Sequence, residues 1–247
     1  MPYSQQQITA KHRWSDNVFS FTTTRPDEFR FKNGEFVTLG LRQQEKLVAR
    51  AYSIVSANDD EQLEFLSIAV PDGPLTSELV NVDPGNAIWI NTKSTGSLTL
   101  NHVQPGRHLY MIATGTGLAP FISLLRGGEV FERFDKTILV HTVRTKEGLA
   151  YRDELESMQD DRFHYVPTVT REHFATTARG AELFRSGELA ESLTLPAIDP
   201  EQDRVMLCGN PNMNHELKNF LLEAGWEITN HQGVGNFTVE QAFVLEK

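Results

Sequence analysis

Thr114-Gly115-Thr116-Gly117-Leu118-Ala119-Pro120 joins an apolar run, His108 to Ala113, to a segment of helical spacing. Glycines at such a junction let backbone N–H groups approach a pyrophosphate, and the helix start adds partial positive charge. Pro120 suits the first helical turn, where a missing N–H is tolerated. A tight turn without a ligand uses the same residues, so Gly115 and Gly117 leave both readings open. The next run, Thr137 to Val143, ends in Arg144, where an NAD-specific fold places Asp or Glu on the ribose hydroxyls. A cation there suits a 2′-phosphate and favours NADP over NAD. Arg171 and Arg179 follow a third run and complete a guanidinium clamp for phosphate, although each arginine by itself is equally a solvated surface charge. A fourth run ends in Cys208-Gly209-Asn210-Pro211, at the same carboxyl edge where ligands of such sheets bind. Cys208 there is a small core residue or a ligand neighbour.

Earlier in the chain, Arg50-Ala51-Tyr52-Ser53 lies in the middle of a β-rich run. Alternation puts Arg50 and Tyr52 on one face and Ala51 and Ser53 on the other, and a mid-strand arginine calls for an anion or an exposed edge. Pro71-Asp72-Gly73-Pro74-Leu75-Thr76 leads a strand into a helix and offers a second cluster of free N–H donors for phosphate.

The elements that position these residues fall into two patterns. Phe19 to Thr23, Phe36 to Leu41, Val48 to Val55, Leu63 to Val70 and Ala87 to Thr92 read as strands with turns at Asn33-Gly34 and Asp83-Pro84-Gly85,. Only Leu75 to Val82 looks helical in this half, which predicts a small antiparallel barrel or sandwich. After Gly106, the runs His108–Ala113, Thr137–Val143, Tyr165–Val169 and Arg204–Cys208 alternate with helical stretches at Leu118–Arg126, Leu149–Gln159 and Met213–Ala224. Strand and helix in alternation predict a doubly wound parallel sheet. The boundary is expected at Asn101 to Gly106, giving domains 1–101 and 102–247.

With 247 residues, 39% of them apolar and 23% charged, the chain fills one large core or two ordinary ones,. A net charge of −10 argues against nucleic acid as the main partner,. The absence of any apolar run near 20 residues, and of a signal-like core in Met1 to Trp14, predicts a cytoplasmic protein without a membrane span. A single cysteine rules out an internal disulfide and a four-ligand iron–sulfur cluster,. The eight histidines lack metal-site spacing, so no metal is expected and electron chemistry needs an organic cofactor.

Taken together, Arg50-Ala51-Tyr52-Ser53, Gly73-Pro74-Leu75-Thr76, Gly115-Thr116-Gly117-Leu118-Ala119-Pro120, Thr170-Arg171-Glu172 and Cys208-Gly209-Asn210-Pro211 resemble, in order and spacing, the ferredoxin-NADP reductase superfamily, most closely its bacterial ferredoxin/flavodoxin-NADP reductases. The resemblance implies an N-terminal FAD barrel, an α/β domain for NADP(H), and a C-terminal tail returning to the flavin. It implies that Arg50 contacts the FAD pyrophosphate, that Tyr52 packs on the isoalloxazine and that Ser53 bonds near flavin N5. Ala51, Leu66, Ile68 and Pro74 join the FAD contacts, Leu75 and Thr76 give the pyrophosphate backbone donors, and Thr116 lies between flavin and nicotinamide. Gly115, Gly117, Gly209, Arg144, Arg171 and Arg179 match the NADP side, with Cys208 beside the nicotinamide. Ala242 and Phe243 resemble the tail of one bacterial subgroup, covering the flavin and reaching its adenine side, although that tail usually ends one residue sooner. The implied activity is hydride transfer between nicotinamide C4 and flavin N5, coupled to single-electron exchange with ferredoxin or flavodoxin by a monomer. Docking of an acidic carrier on this acidic chain would use a local basic cluster, for which Lys11-His12-Arg13 is the first candidate. A reductase of free flavins, quinones or ferric complexes keeps the same fold, and so does a non-catalytic flavin-binding module of a larger complex.

Overall fold

The computed structural model describes residues 3–241, which divide into a unit running to Gly96 and taking in Ala119–Gly127, and a unit comprising Ser97–Leu118 and the chain from Gly128. The first contains β1 (Tyr3–Arg13), β2 (Val18–Thr24), β3 (Phe36–Gln43), β4 (Lys46–Ser53), β5 (Gln62–Ile68) and β6 (Ala87–Asn91). Their order is β4-β3-β6-β1-β2-β5, with every neighbouring pair antiparallel. Just beyond β4, Ile54 pairs with Phe65 and Val55 N donates to Glu64 O at 2.9 Å. The two outer strands thus meet, and the sheet closes into the expected barrel. Its interior holds Phe19, Phe21, Leu39, Leu63, Phe65, Ile88 and Ile90, each burial contributing about 1.5–3 kcal/mol.

Two features depart from the sequence pattern. Strand β1 lies outside the five expected runs because YSQQQITAKHR has no apolar alternation, only Ile8 being fully buried. It is a strand because β6 and β2 hydrogen-bond it from both sides. The helix expected from Leu75 to Val82 is one turn, α1 (Thr76–Leu79). Past it, the carbonyls of Val80 and Val82 accept from Lys11 Nζ at 2.7 and 2.9 Å, which satisfies them without further helix. The helix α2 (Ala119–Gly127) also belongs to this unit: Ser123 Oγ donates to Ser56 O at 2.8 Å, and Arg126 pairs with Glu64 at 2.6 Å.

The second unit is built on five parallel strands, β7 (His108–Thr114), β8 (Lys136–Val143), β9 (Phe163–Val169), β10 (Arg204–Gly209) and β11 (Phe237–Gln241), in the order β11-β10-β7-β8-β9. The connecting helices are α3 (Val130–Arg133), α4 (Arg152–Ser157), α5 (Gly180–Ser186), α6 (Glu188–Ser192) and α7 (Pro211–Glu223). Tyr110, Ile112, Ile138, Val140, Val205 and Leu207 face α5, α6 and α7 in one core, while Leu109, Met111 and Leu139 on the alternate face are equally buried. Such two-sided burial is the reason these runs read as continuously apolar. The strand order reverses between β7 and β10, so a crevice opens beyond their carboxyl ends. The helices α5 and α6 and strand β11 occupy stretches given no element by the sequence pattern.

Candidate functional site

At the reversal point the backbones of two loops touch. Gly117 lies in the 3₁₀ turn Gly115–Leu118 after β7, and a Cβ there would collide with the carbonyl oxygen of Cys208. Gly209 ends β10, and a Cβ on it would collide with Thr114 Oγ1. Thr114 Oγ1 in turn accepts from Asn210 N at 2.8 Å. Asn210 caps α7, accepting Met213 N at 2.9 Å ahead of Pro211. Gly115 is exposed with φ at 52°, and a Cβ there would meet none of the described residues within 4 Å. The glycine turn is therefore pressed against β10 on one side and open on the other, leaving room for a ligand to approach its backbone. Thr116, half-buried, lies in the same turn.

Cys208 is fully buried, and burial pushes its thiol pKa well up, with the carboxylate of Glu240 adding to the shift. It is a neutral thiol at physiological pH, not a nucleophile. Among the described residues, no group of three His, Cys, Asp or Glu could hold a metal ion.

The structure brings Arg144, Arg171 and Arg179 to one end of the sheet. Arg171 N donates to Arg144 O at 2.9 Å, and Thr170 N donates to Val143 O at 3.0 Å, so the chains leaving β8 and β9 stay paired. Arg179 is the N-cap of α5, whose first amide, Gly180 N, donates to Thr142 Oγ1 at 3.0 Å, two residues before Arg144. All three side chains are exposed, and among the described residues no carboxylate pairs with them. Glu172 braces the group by accepting Lys146 N at 2.8 Å. Phe174 anchors the loop between Arg171 and Arg179 on Val143, Leu149 and Val169.

In the barrel the motif Arg50-Ala51-Tyr52-Ser53 is divided between the faces of β4 as alternation requires. Tyr52 points inward, 8% exposed, meeting Phe21 and Phe65 edge to face at 6.3 and 6.4 Å. Its hydroxyl bonds Ser67 Oγ at 3.1 Å, and burial raises its pKa. Half-buried Arg50 donates from Nη1 to Ala49 O at 2.9 Å. Ala51 is exposed and Ser53 half-buried, while Leu66 and Ile68 lie on the face of β5 opposite Ser67. In the loop into α1, Pro74 is exposed and its carbonyl accepts Gln43 Nε2 at 2.5 Å. Leu75 is buried at the start of α1 and Thr76 accepts Val70 N at 3.2 Å. Ala242 and Phe243 lie outside the described residues.

Two results were not legible in the motifs. Lys11 is engaged by the carbonyls that follow α1 and His12 packs on Trp14 at 4.2 Å, so, among the described residues, Arg13 is the one exposed cation of the Lys11-His12-Arg13 cluster without a partner. Fully buried His141 bonds Gly115 O through Nε2 at 3.1 Å, and burial lowers its pKa to about 4. Its one sequence signal is a polar residue inside the apolar run of β8.

Residues 5–99 match the family described as oxidoreductase FAD-binding domain, and residues 111–219 match the oxidoreductase NAD-binding domain family. Ferredoxin–NADP reductase of Pseudomonas aeruginosa is 43% identical to this chain, covering 97% of each. Flavodoxin/ferredoxin–NADP reductase of Rhodobacter capsulatus is 41% identical, covering 98% of this chain and 93% of its own. A crystal structure of a ferredoxin NADP+ reductase from Neisseria gonorrhoeae with bound FAD and NADP superposes with a TM-score of 0.94 at 30% identity, over 98% of this chain and all of that one.

Proposed function

This chain belongs to the ferredoxin–NADP reductase family, and from that premise we propose that it is an FAD-containing oxidoreductase that moves electrons between NADP(H) and ferredoxin or flavodoxin. The observation that carries the NADP half is the convergence of Arg144, Arg171 and Arg179, without carboxylate partners among the described residues, beside a glycine turn open on its ligand side. Guanidinium groups so placed hold a 2′-phosphate bidentately, and the backbone of Gly115–Gly117 and Gly209 receives the pyrophosphate. Cys208, a neutral buried thiol, backs the nicotinamide side of the turn as an apolar wall.

For the flavin half, Arg50 would neutralise the FAD pyrophosphate, and the loop through Pro74, Leu75 and Thr76 would give it backbone N–H donors from Leu75 and Thr76. Ala51, Ser53, Leu66 and Ile68 present the outer face of the barrel, and Tyr52, on the inward face of β4, braces that strand against Phe21, Phe65 and Ser67. The chemistry that FAD supplies when bound is exchange of a hydride with nicotinamide C4 at N5 and of single electrons with a carrier. Ser53 would orient the reacting edge by hydrogen bonding; no side chain need act as a general base. The protein works as a monomer in the cytoplasm, meeting its carrier transiently through charge.

The test is anaerobic titration of the FAD-loaded protein with NADPH and, separately, NADH, followed by flavin absorbance. Fast bleaching by NADPH alone is expected; equal rates with both would overturn the arginine assignment. Steady-state rates with purified ferredoxin and flavodoxin should exceed those with free flavin, quinones or ferric complexes, and the reverse ranking reassigns the acceptor.

A further inference from the structure

The fully buried imidazole of His141 has no part in the function as described, yet it bonds the backbone of the glycine turn. A carbonyl oxygen only accepts, so the 3.1 Å contact from Nε2 to Gly115 O puts the proton on Nε2,. Tyr165 Oη, 3.5 Å from Nδ1, faces the nitrogen left as acceptor. Burial keeps the ring neutral, which preserves that tautomer,.

The Gly115–Thr116 peptide is trans, and the planarity of peptide bonds makes its N–H point opposite to its C=O. Pinning Gly115 O on a buried ring therefore aims Thr116 N–H away from that ring. Gly115, at φ 52°, sits in the region that favours glycine, and its carbonyl is held at the start of the 3₁₀ turn by the ring,. A hydrogen bond accepted by the carbonyl also polarises the same amide and makes its N–H a stronger donor. At the start of a helical turn that N–H has no acceptor within the turn.

We propose that His141 is a positioning residue for NADP(H): by holding Gly115 O through Nε2–H it aims and strengthens Thr116 N–H as a donor to the cofactor pyrophosphate. The inference rests on the reading that the glycine turn receives that pyrophosphate. It assigns His141 no contact with the ligand and no proton transfer.

Dissociation constants of the FAD-loaded protein for NADP+, NAD+ and 2′-AMP test it. The last carries the 2′-phosphate and adenine but no pyrophosphate. His141→Leu removes the donor and should weaken NADP+ about tenfold, the loss of about one charge-assisted contact, while leaving 2′-AMP unchanged. His141→Gln keeps a side-chain N–H and should bind NADP+ close to wild type. Unchanged NADP+ binding in folded His141→Leu overturns the proposal, and so does an equal loss for 2′-AMP, which would mark a general loss of structure. If His141→Leu does not fold, Thr116→Pro deletes the N–H itself. It should show the same selective loss, and undiminished NADP+ binding there is equally fatal. Wild-type affinity for NAD+ equal to that for NADP+ breaks the arginine reading but leaves this test intact, because both dinucleotides carry the pyrophosphate.

Discussion

In the barrel unit, the groups suited to a cofactor are side chains on strands, and in the α/β unit they are mostly backbone at strand ends. Arg50, Tyr52 and Ser53 sit within eight consecutive residues of β4, each held by the ladder to β3 and, for Tyr52, by the aromatic core. Gly115, Gly117 and Gly209 sit where β7 and β10 run out, and they act through the absence of a side chain. A strand site tolerates conservative change, because packing behind it keeps the geometry. A backbone site such as Gly117 does not, because a Cβ there must displace the carbonyl of Cys208,.

The largest expected effect follows from that contrast. Gly117→Val should abolish NADPH-driven flavin reduction, with the KM for NADPH up by about a hundredfold or more, equivalent to roughly 3 kcal/mol, while FAD content stays near wild type. Steady-state kinetics together with the flavin-to-protein absorbance ratio check it, and a parallel loss of FAD would show that the two regions are not separable.

A second expectation concerns stability. Burial lowers the His141 pKa to about 4 in the folded chain, from an ordinary 6.5. The unfolded state thus binds more protons between these values, so the stability from keeping the ring neutral is full above pH 6.5 and is lost as pH falls toward 4. At about 1.4 kcal/mol per pH unit the span amounts to about 3 kcal/mol. Chemical denaturation at pH 7 and pH 4.5 should show a fall that is smaller in His141→Gln. An identical fall in both would remove His141 as its source.

Arg171→Ala should raise the KM for NADPH about thirtyfold, close to 2 kcal/mol for a lost charge-assisted bond, with NADH kinetics unchanged. Equal losses for both nucleotides would place Arg171 on a part common to them. The smallest effect is expected in the barrel: Tyr52→Phe removes one buried hydrogen bond to Ser67 and should lower stability by about 1 kcal/mol, with FAD retained. Thermal unfolding measures it, and release of FAD from this variant would show that the hydroxyl does more than brace the core.

Much of this was legible from local pattern. The runs from His108, Thr137 and Arg204 were readable as buried strands because helices cover both sides of the sheet, and the glycines of the turn because no other residue suits so close an approach. Strand β1 was not legible, since three glutamines and a lysine carry no apolar period and only its two neighbours make it a strand. Nor was the single turn of α1, because apolar spacing from Leu75 to Val82 cannot show that Lys11, some 70 positions away, takes the carbonyls of Val80 and Val82.

Glycine spacing, arginine placement and hydrophobic period are local properties of the chain, so they were enough to give the class of fold and the residues we propose for phosphate, flavin and nicotinamide. The tertiary structure alone decided which of them act together. Arg144 and Arg171 meet because the chains leaving β8 and β9 stay paired beyond the sheet. Half-buried Lys11 is tied to the carbonyls that follow α1, and His141 reaches Gly115 from 26 residues away. Hydrogen bonds between distant residues depend on strand order and register, and those are settled by the packing of the whole core.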